Sequence, residues 1–128
     1  RSHVFQELNG FDERFFVYYE EVDFSLRAKQ LGWNSVYFSG AQAFHVGGAL
    51  SAQVKAKRLF YSQRSCILYV CKHFNIIKRT LVLLIILIIE PTTRMIFSIS
   101  SMSFSRTKET FRAYFMLFKW FLFSSINK

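Results

Sequence analysis

The sequence predicts an α/β domain followed by basic, apolar helices. The chain has 128 residues, of which 52% are hydrophobic and 20% charged, and this composition excludes a disordered tail. Residues 1–54 hold four basic and six acidic side chains, whereas residues 55–128 hold thirteen basic and two acidic ones. The first part mixes helical and extended patterns, and the second contains long apolar runs. We therefore divide the chain into a domain part, residues 1–75, and a membrane-associating helical extension, residues 76–128.

The first predicted helix is marked at both ends. Val22, Leu26 and Leu31 recur at helical spacing. Acidic residues occupy the first turn, where the helix dipole favours negative charge. Gly32 follows the last apolar position, as a C′ glycine does. The pattern predicts a helix over residues 20–31.

Two short strands are expected next. Val36 and Phe38 alternate with other residues over 34–39, Gly40 interrupts the run, and residues 41–46 form a second extended stretch. Alternation with a period of two is typical of a half-buried strand, and a glycine between two such runs marks a turn. The sequence predicts two strands around that turn.

A longer helix is expected after the strands. Residues 51–74 contain neither glycine nor proline, and Leu59, Ile67 and Val70 lie at near-helical spacing. This stretch therefore predicts a single long helix.

The extension is apolar but interrupted by charge. Residues 81–89 are nine consecutive apolar residues, fewer than the roughly 20 that a membrane-spanning helix needs. A longer span would include Glu90 and Arg94, and a charge at the bilayer centre costs about 2.5 to 3.5 kcal/mol. Residues 111–126 interleave aromatic and basic side chains, as an in-plane anchor does. We expect interfacial or re-entrant helices; a pair of core helices in a larger protein is the alternative.

One string of residues resembles a family signature. Residues 9–27 read NGFDERFFVYYEEVDFSLR, and Gly32 follows; RSCILY at 64–69 and KHF at 72–74 extend the likeness. Together they resemble the carboxyl half of inverting family-2 nucleotide-sugar glycosyltransferases, especially the rhamnosyltransferase-like bacterial branch. The resemblance covers roughly residues 1–75. It implies that this part is the carboxyl-terminal portion of a GT-A-like transferase domain.

Three acids at the start of the first predicted helix offer catalytic chemistry. Inverting sugar transfer needs a carboxylate that accepts the proton of the acceptor hydroxyl as its oxygen attacks the anomeric carbon. Glu20, Glu21 and Asp23 supply carboxylates there. The resemblance implies that the base is Glu21. From the residues alone, the three acids equally suit an ordinary helix N-terminus.

Three further residues are candidates for binding the acceptor. The resemblance implies that Asp12, Glu13 and Arg27 border the acceptor site. Asp12 and Glu13 would shape a turn there, and the alternative is that they cap the following segment. Arg27 lies four residues after Asp23, so the alternative for this pair is a helix ion pair worth about 0.2 to 0.5 kcal/mol.

His45 is the candidate metal ligand. The resemblance implies that it binds Mn²⁺ or Mg²⁺ beside the donor diphosphate, and the alternative is an ordinary core or surface histidine. An Asp-x-Asp pair, which would complete such a site, occurs nowhere in the 128 residues. We therefore expect that the donor half lies outside this chain and that the chain alone transfers no sugar.

The sequence as a whole predicts a fragment of a glycosyltransferase. It would move a sugar from a nucleotide-sugar donor to a lipid-linked or polysaccharide acceptor, at the cytoplasmic face of an anionic membrane, as a peripheral or re-entrant protein. The two cysteines fit a reducing compartment. The alternatives are a non-catalytic membrane-associated remnant and a helical membrane-surface protein. No nucleic-acid partner is expected, because the run at 81–89 argues against a solvated basic face.

Overall fold

The computed structural model describes residues 2–44 and 54–126, with side chains up to residue 123. Its elements are helices throughout: α1 (Ser2–Glu7), α2 (Glu20–Gln30), α3 (Lys55–His73), α4 (Ile76–Leu84), a π-helical turn (Ile85–Ile89), α5 (Glu90–Ser100) and α6 (Phe104–Ile126). These two ranges contain no strand. The predicted α/β class, with its GT-A-like portion, is therefore wrong, and the described protein is all-helical.

The segment in which strands were predicted is irregular. Residues 33–44 carry no regular structure beyond a turn, in which the Ala41 N–H donates to the Phe38 carbonyl at 3.4 Å. The side chains of Val36 and Tyr37 are 83% and 92% exposed. Alternation produces a strand only where a neighbouring strand pairs with the backbone and a packed face receives the side chains. The described part of the chain supplies neither; residues 45 and 46 of the second predicted strand lie outside it.

Both helices predicted in the first part are confirmed. Helix α2 ends in a Schellman motif: the Trp33 N–H donates to the Ala28 carbonyl at 3.0 Å, and the Gly32 N–H to the Lys29 carbonyl at 3.0 Å. Gly32 has a φ of +86°, a value that glycine adopts without steric penalty. Helix α3 confirms the described part of the second prediction.

Helices α3 to α6 pack together as a bundle. Helix α3 packs against α4 and α6, and α5 packs against α6. Ile67 of α3, Ile86 of the π turn and Leu117 of α6 are buried together at the centre. Burying each such side chain contributes about 1.5 to 3 kcal/mol. The partly buried side chains around this centre include Phe60, Val82, Tyr114 and Trp120.

Helix α4, the π turn and α5 join into one continuous helix. It spans the 25 residues Ile76–Ser100 with a mean hydropathy of 2.0 in its most apolar window, and it extends about 37 Å at 1.5 Å per residue. By length and composition it is sufficient to cross a membrane, so the apolar run at 81–89 is only part of a longer apolar helix. Most of its side chains are exposed within the chain. The expectation that it lies at the membrane surface stays a prediction.

A proline and a tyrosine explain how the π turn is stabilised. The Glu90 N–H donates to the Ile85 carbonyl, five residues back. Pro91 has no N–H to offer the next carbonyl, that of Ile86. The hydroxyl of Tyr114, on α6, donates to this carbonyl at 3.1 Å instead. A side chain of the bundle therefore supplies the hydrogen-bond donor that the Ile86 carbonyl lacks because of the proline.

Charge in the middle of this long helix is internally compensated. Glu90 accepts a hydrogen bond from the Gln63 amide of α3 and another from Arg94 Nε, at 2.8 Å. Gln63 is buried. The pair Glu90–Arg94 carries no net charge, which reduces the penalty of placing it in an apolar environment.

Candidate functional site

A buried carboxylate organises the first part of the chain. Asp23, in the first turn of α2, has a fully buried side chain. Its Oδ2 accepts from Arg27 Nε at 2.8 Å, and its Oδ1 lies 2.6 Å from Lys72 Nζ and 2.7 Å from His73 Nε2. Asp23 is thus held by one partner of its own helix and two from the end of α3. We call Asp12, Asp23, Arg27, Lys72 and His73 the ion cluster.

Arg27 extends the ion cluster to the loop after α1. Its Nη1 donates to the Leu8 carbonyl at 2.7 Å, and its Nη2 to the Gly10 carbonyl at 2.8 Å. Two of the three hydrogen bonds of this guanidinium therefore join α2 to the α1–α2 connection, and the third, to Asp23, lies within α2. Hydrogen bonds that involve a charged group are worth about 1.5 to 3 kcal/mol each.

Lys72 links two carboxylates. Its Nζ lies 2.7 Å from Asp12 Oδ2 as well as 2.6 Å from Asp23 Oδ1. Asp12 is also bound by Arg14, whose Nη2 lies 2.6 Å from Asp12 Oδ2 and whose side chain is 62% exposed. The ion cluster therefore joins the α1–α2 loop, α2 and α3.

Both aspartates have lowered pKa values. Burial by itself would raise the pKa of Asp23, but hydrogen bonds from Lys72, His73 and Arg27 outweigh it and hold this pKa below its usual range. The hydrogen bond from Arg14 is the main reason that the pKa of Asp12 also lies well below its usual range, with Lys72 acting in the same direction. Both groups are carboxylates at neutral pH.

Helix α3 also fixes the segment that leads into α2. The Ser65 hydroxyl, fully buried, donates to the Val17 carbonyl at 2.8 Å. Tyr18 and Tyr19 follow with φ values of 66° and 69°, a left-handed conformation that costs a bulky residue about 1 to 3 kcal/mol. The Tyr19 ring packs on Tyr69 with 5.4 Å between ring centroids. A hydrogen bond with Cys66, together with burial, raises the pKa of Tyr19 to about 12.

The strained segment Tyr18–Tyr19 positions the other two acids at the start of α2. Glu20 and Glu21 follow Tyr19 directly as the first residues of α2. Glu21 is exposed and has no ion pair in the part of the chain that the structure describes. Glu20 is half-buried, and its Oε2 is buried without a hydrogen-bond partner among residues 2–44 and 54–123. The three predicted acids therefore differ: Asp23 is occupied by cations, whereas Glu20 and Glu21 retain carboxylate oxygens without such partners.

The proposed acceptor residues separate in the same way. Asp12 and Arg27 belong to the ion cluster, and the pair Asp23–Arg27 forms the i,i+4 contact that was the alternative to an acceptor role. Glu13 is exposed, one residue from Asp12. Their part in binding an acceptor stays a prediction.

The residues described do not form a metal site. No group of three or more His, Cys, Asp or Glu side chains able to hold a metal ion occurs within residues 2–44 and 54–126. His45, the predicted ligand, lies outside the described residues. The described residues therefore do not test the Mn²⁺ or Mg²⁺ that the resemblance implies, and this metal stays a prediction.

Lys72 and His73 were not among the site residues that sequence reasoning selected. The signal was present, since KHF at 72–74 is part of the family resemblance. Nothing in local spacing connects these residues to Asp23, because about 50 residues separate them along the chain. Only the return of α3 towards α2 brings the charges together.

An open cavity of about 530 Å³ lies beside the ion cluster. It is lined by Val4, Phe24, Ala28, Trp33 and neighbouring residues, and its walls are mainly apolar. None of the three predicted catalytic acids lines it. The acids of the first α2 turn therefore lie outside this cavity, and Glu21 is the one whose side chain is exposed.

The fold and the site define a helical protein in which a buried ion cluster adjoins an apolar helical bundle. A segment of 45 residues is 44% identical to the N-acetylglucosaminyl-diphospho-decaprenol L-rhamnosyltransferases of Mycobacterium tuberculosis strains CDC 1551 / Oshkosh and ATCC 25618 / H37Rv. The match covers 35% of this chain and 15% of each relative, so the chain spans a small part of the curated proteins that it matches. No family model and no solved structure matches the chain significantly. The similarity supports a relationship to glycosyltransferases.

Proposed function

We propose that this chain carries the acceptor side of an inverting sugar transfer, with Glu21 as the general base. The observation that carries the proposal is the 44% identity to rhamnosyltransferases over 45 residues. By the names of those relatives, we further propose that the sugar is L-rhamnose, supplied as a nucleotide sugar, and that the acceptor is a lipid-linked diphospho-sugar.

The proposed chemistry requires one proton acceptor. The acceptor oxygen attacks the anomeric carbon, its proton passes to a carboxylate, and the bond between the anomeric carbon and the nucleotide diphosphate breaks, with the electron pair leaving on the diphosphate. Asp23 is a poor base, because three cationic or proton-donating side chains occupy it and its pKa is lowered. Glu21 is exposed at the start of the same helix, and its carboxylate is free to meet a substrate.

Glu20 is the second candidate for the base. Its Oε2 is buried and has no hydrogen-bond partner among the described residues. An oxygen without a partner is free to accept a hydrogen bond from an acceptor hydroxyl, the contact that a general base needs. Kinetics on separate variants of Glu20 and Glu21 distinguish the two assignments.

The test uses the whole protein that contains this segment, a nucleotide-activated L-rhamnose and a short-chain prenyl-diphospho-N-acetylglucosamine acceptor. Glu21→Gln should lower kcat by about 10² to 10⁴-fold and leave KM nearly unchanged, because it removes proton acceptance and keeps the shape of the side chain. Glu7→Gln, at an exposed position on α1, is the matched control and should retain turnover. Undiminished kcat in Glu21→Gln, with loss in Glu20→Gln, would transfer the role to Glu20; undiminished kcat in both would end the proposal for this helix.

The 128 residues alone should transfer no sugar. The 45 residues that match cover 15% of the length of each relative, and the 128 residues contain no Asp-x-Asp pair. Formation of a rhamnosylated product by the purified chain would contradict this expectation.

A non-catalytic, membrane-associated role is the second candidate function. The exposed 25-residue apolar helix Ile76–Ser100 favours it. We propose, in either case, a peripheral or re-entrant position at the cytoplasmic face. With Cys66 and Cys71 replaced by Ser, Asn75→Cys and Ser101→Cys place one thiol at each end of the helix. Labelling of both from the outside of inside-out vesicles would support the proposal, and labelling from opposite sides would establish a span instead.

A further inference from the structure

A basic cavity lies at the opposite end of the bundle from the ion cluster. It measures about 440 Å³ and opens between α3, α5 and α6. Its charged lining consists of Lys55 on α3, Arg94 on α5, and Arg106 and Glu109 on α6. Leu59 and Phe97 form apolar walls beside them. We call this the basic cavity.

Two of the cations in the basic cavity are available to a ligand. Arg94 is occupied by Glu90, with 2.7 Å between Nη2 and Oε1. The single carboxylate of the cavity, Glu109, is occupied by the N-terminus of α3, since its Oε2 accepts the Ala56 N–H at 3.0 Å. Lys55 and Arg106 form no ion pair within residues 2–44 and 54–123. The basic cavity therefore offers uncompensated positive charge between three helices.

The surface around the basic cavity is apolar and aromatic. The Arg106 guanidinium carbon lies 5.4 Å from the centroid of the Phe97 ring, a cation–π contact that holds a charged and an aromatic group side by side. Ile96, Phe97, Ile99 and Phe104 have side chains that are all more than 60% exposed. Apolar side chains next to cations are the combination that places a protein at the headgroup region of an anionic membrane.

We propose that the basic cavity binds the phosphate headgroup of an anionic phospholipid through Lys55 and Arg106. The phosphate would lie between these two cations, and the exposed apolar side chains beside them would contact the acyl chains. The occupant is a lipid of the membrane and not the sugar acceptor, for a geometric reason. Lys55 and Lys72 stand 17 positions apart on α3, about 26 Å at 1.5 Å per residue, so a lipid phosphate in the basic cavity lies far from the acids near the ion cluster.

The test is a binding titration with the full chain in neutral dodecyl maltoside micelles. The probes are dihexanoyl phosphatidylglycerol, farnesyl diphosphate and inorganic phosphate, followed by calorimetry. Lys55→Gln/Arg106→Gln should weaken phosphatidylglycerol binding by about tenfold or more, because both charge-assisted contacts to the phosphate are lost. The matched control, Arg58→Gln/Lys108→Gln, removes two exposed charges from the same helices and should change binding by less than about twofold.

Each outcome decides the proposal. Unchanged binding in Lys55→Gln/Arg106→Gln would show that these two cations do not bind the phosphate and would overturn the proposal. An equal loss in the control would overturn it in favour of general charge attraction. Inorganic phosphate binding as tightly as phosphatidylglycerol would mean a free phosphate site, and preference for farnesyl diphosphate would mean a prenyl lipid site; both overturn the phospholipid assignment. The single variants Lys55→Gln and Arg106→Gln, each expected to weaken binding by about threefold, keep the test decisive if the double variant does not fold. The titration contains no donor sugar, so it is independent of the proposed transfer reaction.

Discussion

Replacing Asp23 by asparagine should destabilise the first part of the protein severely. Asparagine keeps the shape of aspartate but loses the charge, and its amide nitrogen presents N–H groups where the carboxylate accepted hydrogen bonds. Arg27 and Lys72, both less than a quarter exposed, would then face a neutral group. Lys72 retains Asp12, whereas Arg27 retains the backbone carbonyls of Leu8 and Gly10 and its contact with the Phe24 ring. The variant leaves partly buried positive charge without its main partner.

The expected loss is large compared with total stability. Breaking a buried ion pair by removing one partner costs about 3 to 5 kcal/mol. A domain is stable by only about 5 to 15 kcal/mol, so about a fifth or more of the free energy of unfolding depends on this carboxylate. With a urea dependence of about 2 kcal/mol per M, the unfolding midpoint should fall by about 2 M. Glu21→Gln changes the same charge on the same helix at an exposed position and should stay within about 0.5 kcal/mol of the parent.

Fluorescence of Trp33 reports the relevant part of the chain. Its Nε1–H donates to Glu7 at 3.1 Å, and its ring contacts His3, so its emission depends on the packing of α1 against the end of α2. Urea unfolding at pH 7 in a Trp120→Phe background isolates this signal. A double-mutant cycle with Arg27→Met should give a coupling energy of about 1 to 3 kcal/mol between the two residues.

Two results would refute the reasoning. A loss below about 1 kcal/mol in Asp23→Asn would mean that the buried charges are solvated or rearranged at little cost. An equal loss in Glu21→Gln would mean that the stability of this region follows net charge and not the ion cluster.

Three other changes have defined outcomes. Because the pKa values of Asp12 and Asp23 lie below the ordinary 3.8, their contribution to stability is complete above about pH 5 and is lost as the pH falls through the folded-state values. Urea midpoints should therefore be constant from pH 5 to 7 and fall below about pH 4. A flat profile down to pH 2.5 would contradict this. Tyr114→Phe should cost about 1 to 3 kcal/mol of stability, because it leaves a carbonyl of the π turn without a donor. Adding Pro91→Ala, which restores an N–H, should recover much of the lost stability. Denaturation in SDS measures both changes, and no recovery in the double variant would refute the account. Gly32→Ala should cost about 1 kcal/mol through its φ of +86° alone, because the space for a Cβ is open, and an unchanged urea midpoint would contradict this.

Patterns among neighbouring residues were sufficient to predict the helices of the first part, whereas the rest of the fold depends on contacts between residues that are distant in sequence. Both ends of α2 could be found because the acids of its first turn and Gly32 act within a few residues. The strands expected between 34 and 46 could not be judged in this way, because a strand exists only with a partner elsewhere in the chain. The alternation of Val36 and Phe38 is real but meets no sheet in the described residues.

The same distinction applies to the candidate site. The i,i+4 contact of Asp23 with Arg27 follows from helix geometry and was recognised as an alternative. The contacts of Asp23 with Lys72 and His73 depend on how α3 packs beside α2, and no rule of sequence spacing predicts that packing. From the residues alone the three acids were alternatives, with Glu21 singled out only by resemblance, and burial is what distinguishes Asp23 from Glu21 in the structure.

The π turn determines which way the two halves of the long helix face. A π-helical turn holds one residue more than the α-helical turn that it replaces, and each residue of an α-helix advances the direction of its side chain by about 100°. Helix α4 packs on α3, whereas α5 packs on α6, where the hydroxyls of Ser98 and Thr107 meet at 2.9 Å. If the same residues were α-helical throughout, with no residue removed, α5 would be rotated by about 100° relative to α4. Ser98 would then turn away from α6, and Glu90 from Gln63, so the angular offset of a single added residue sets which neighbour each half of this helix contacts.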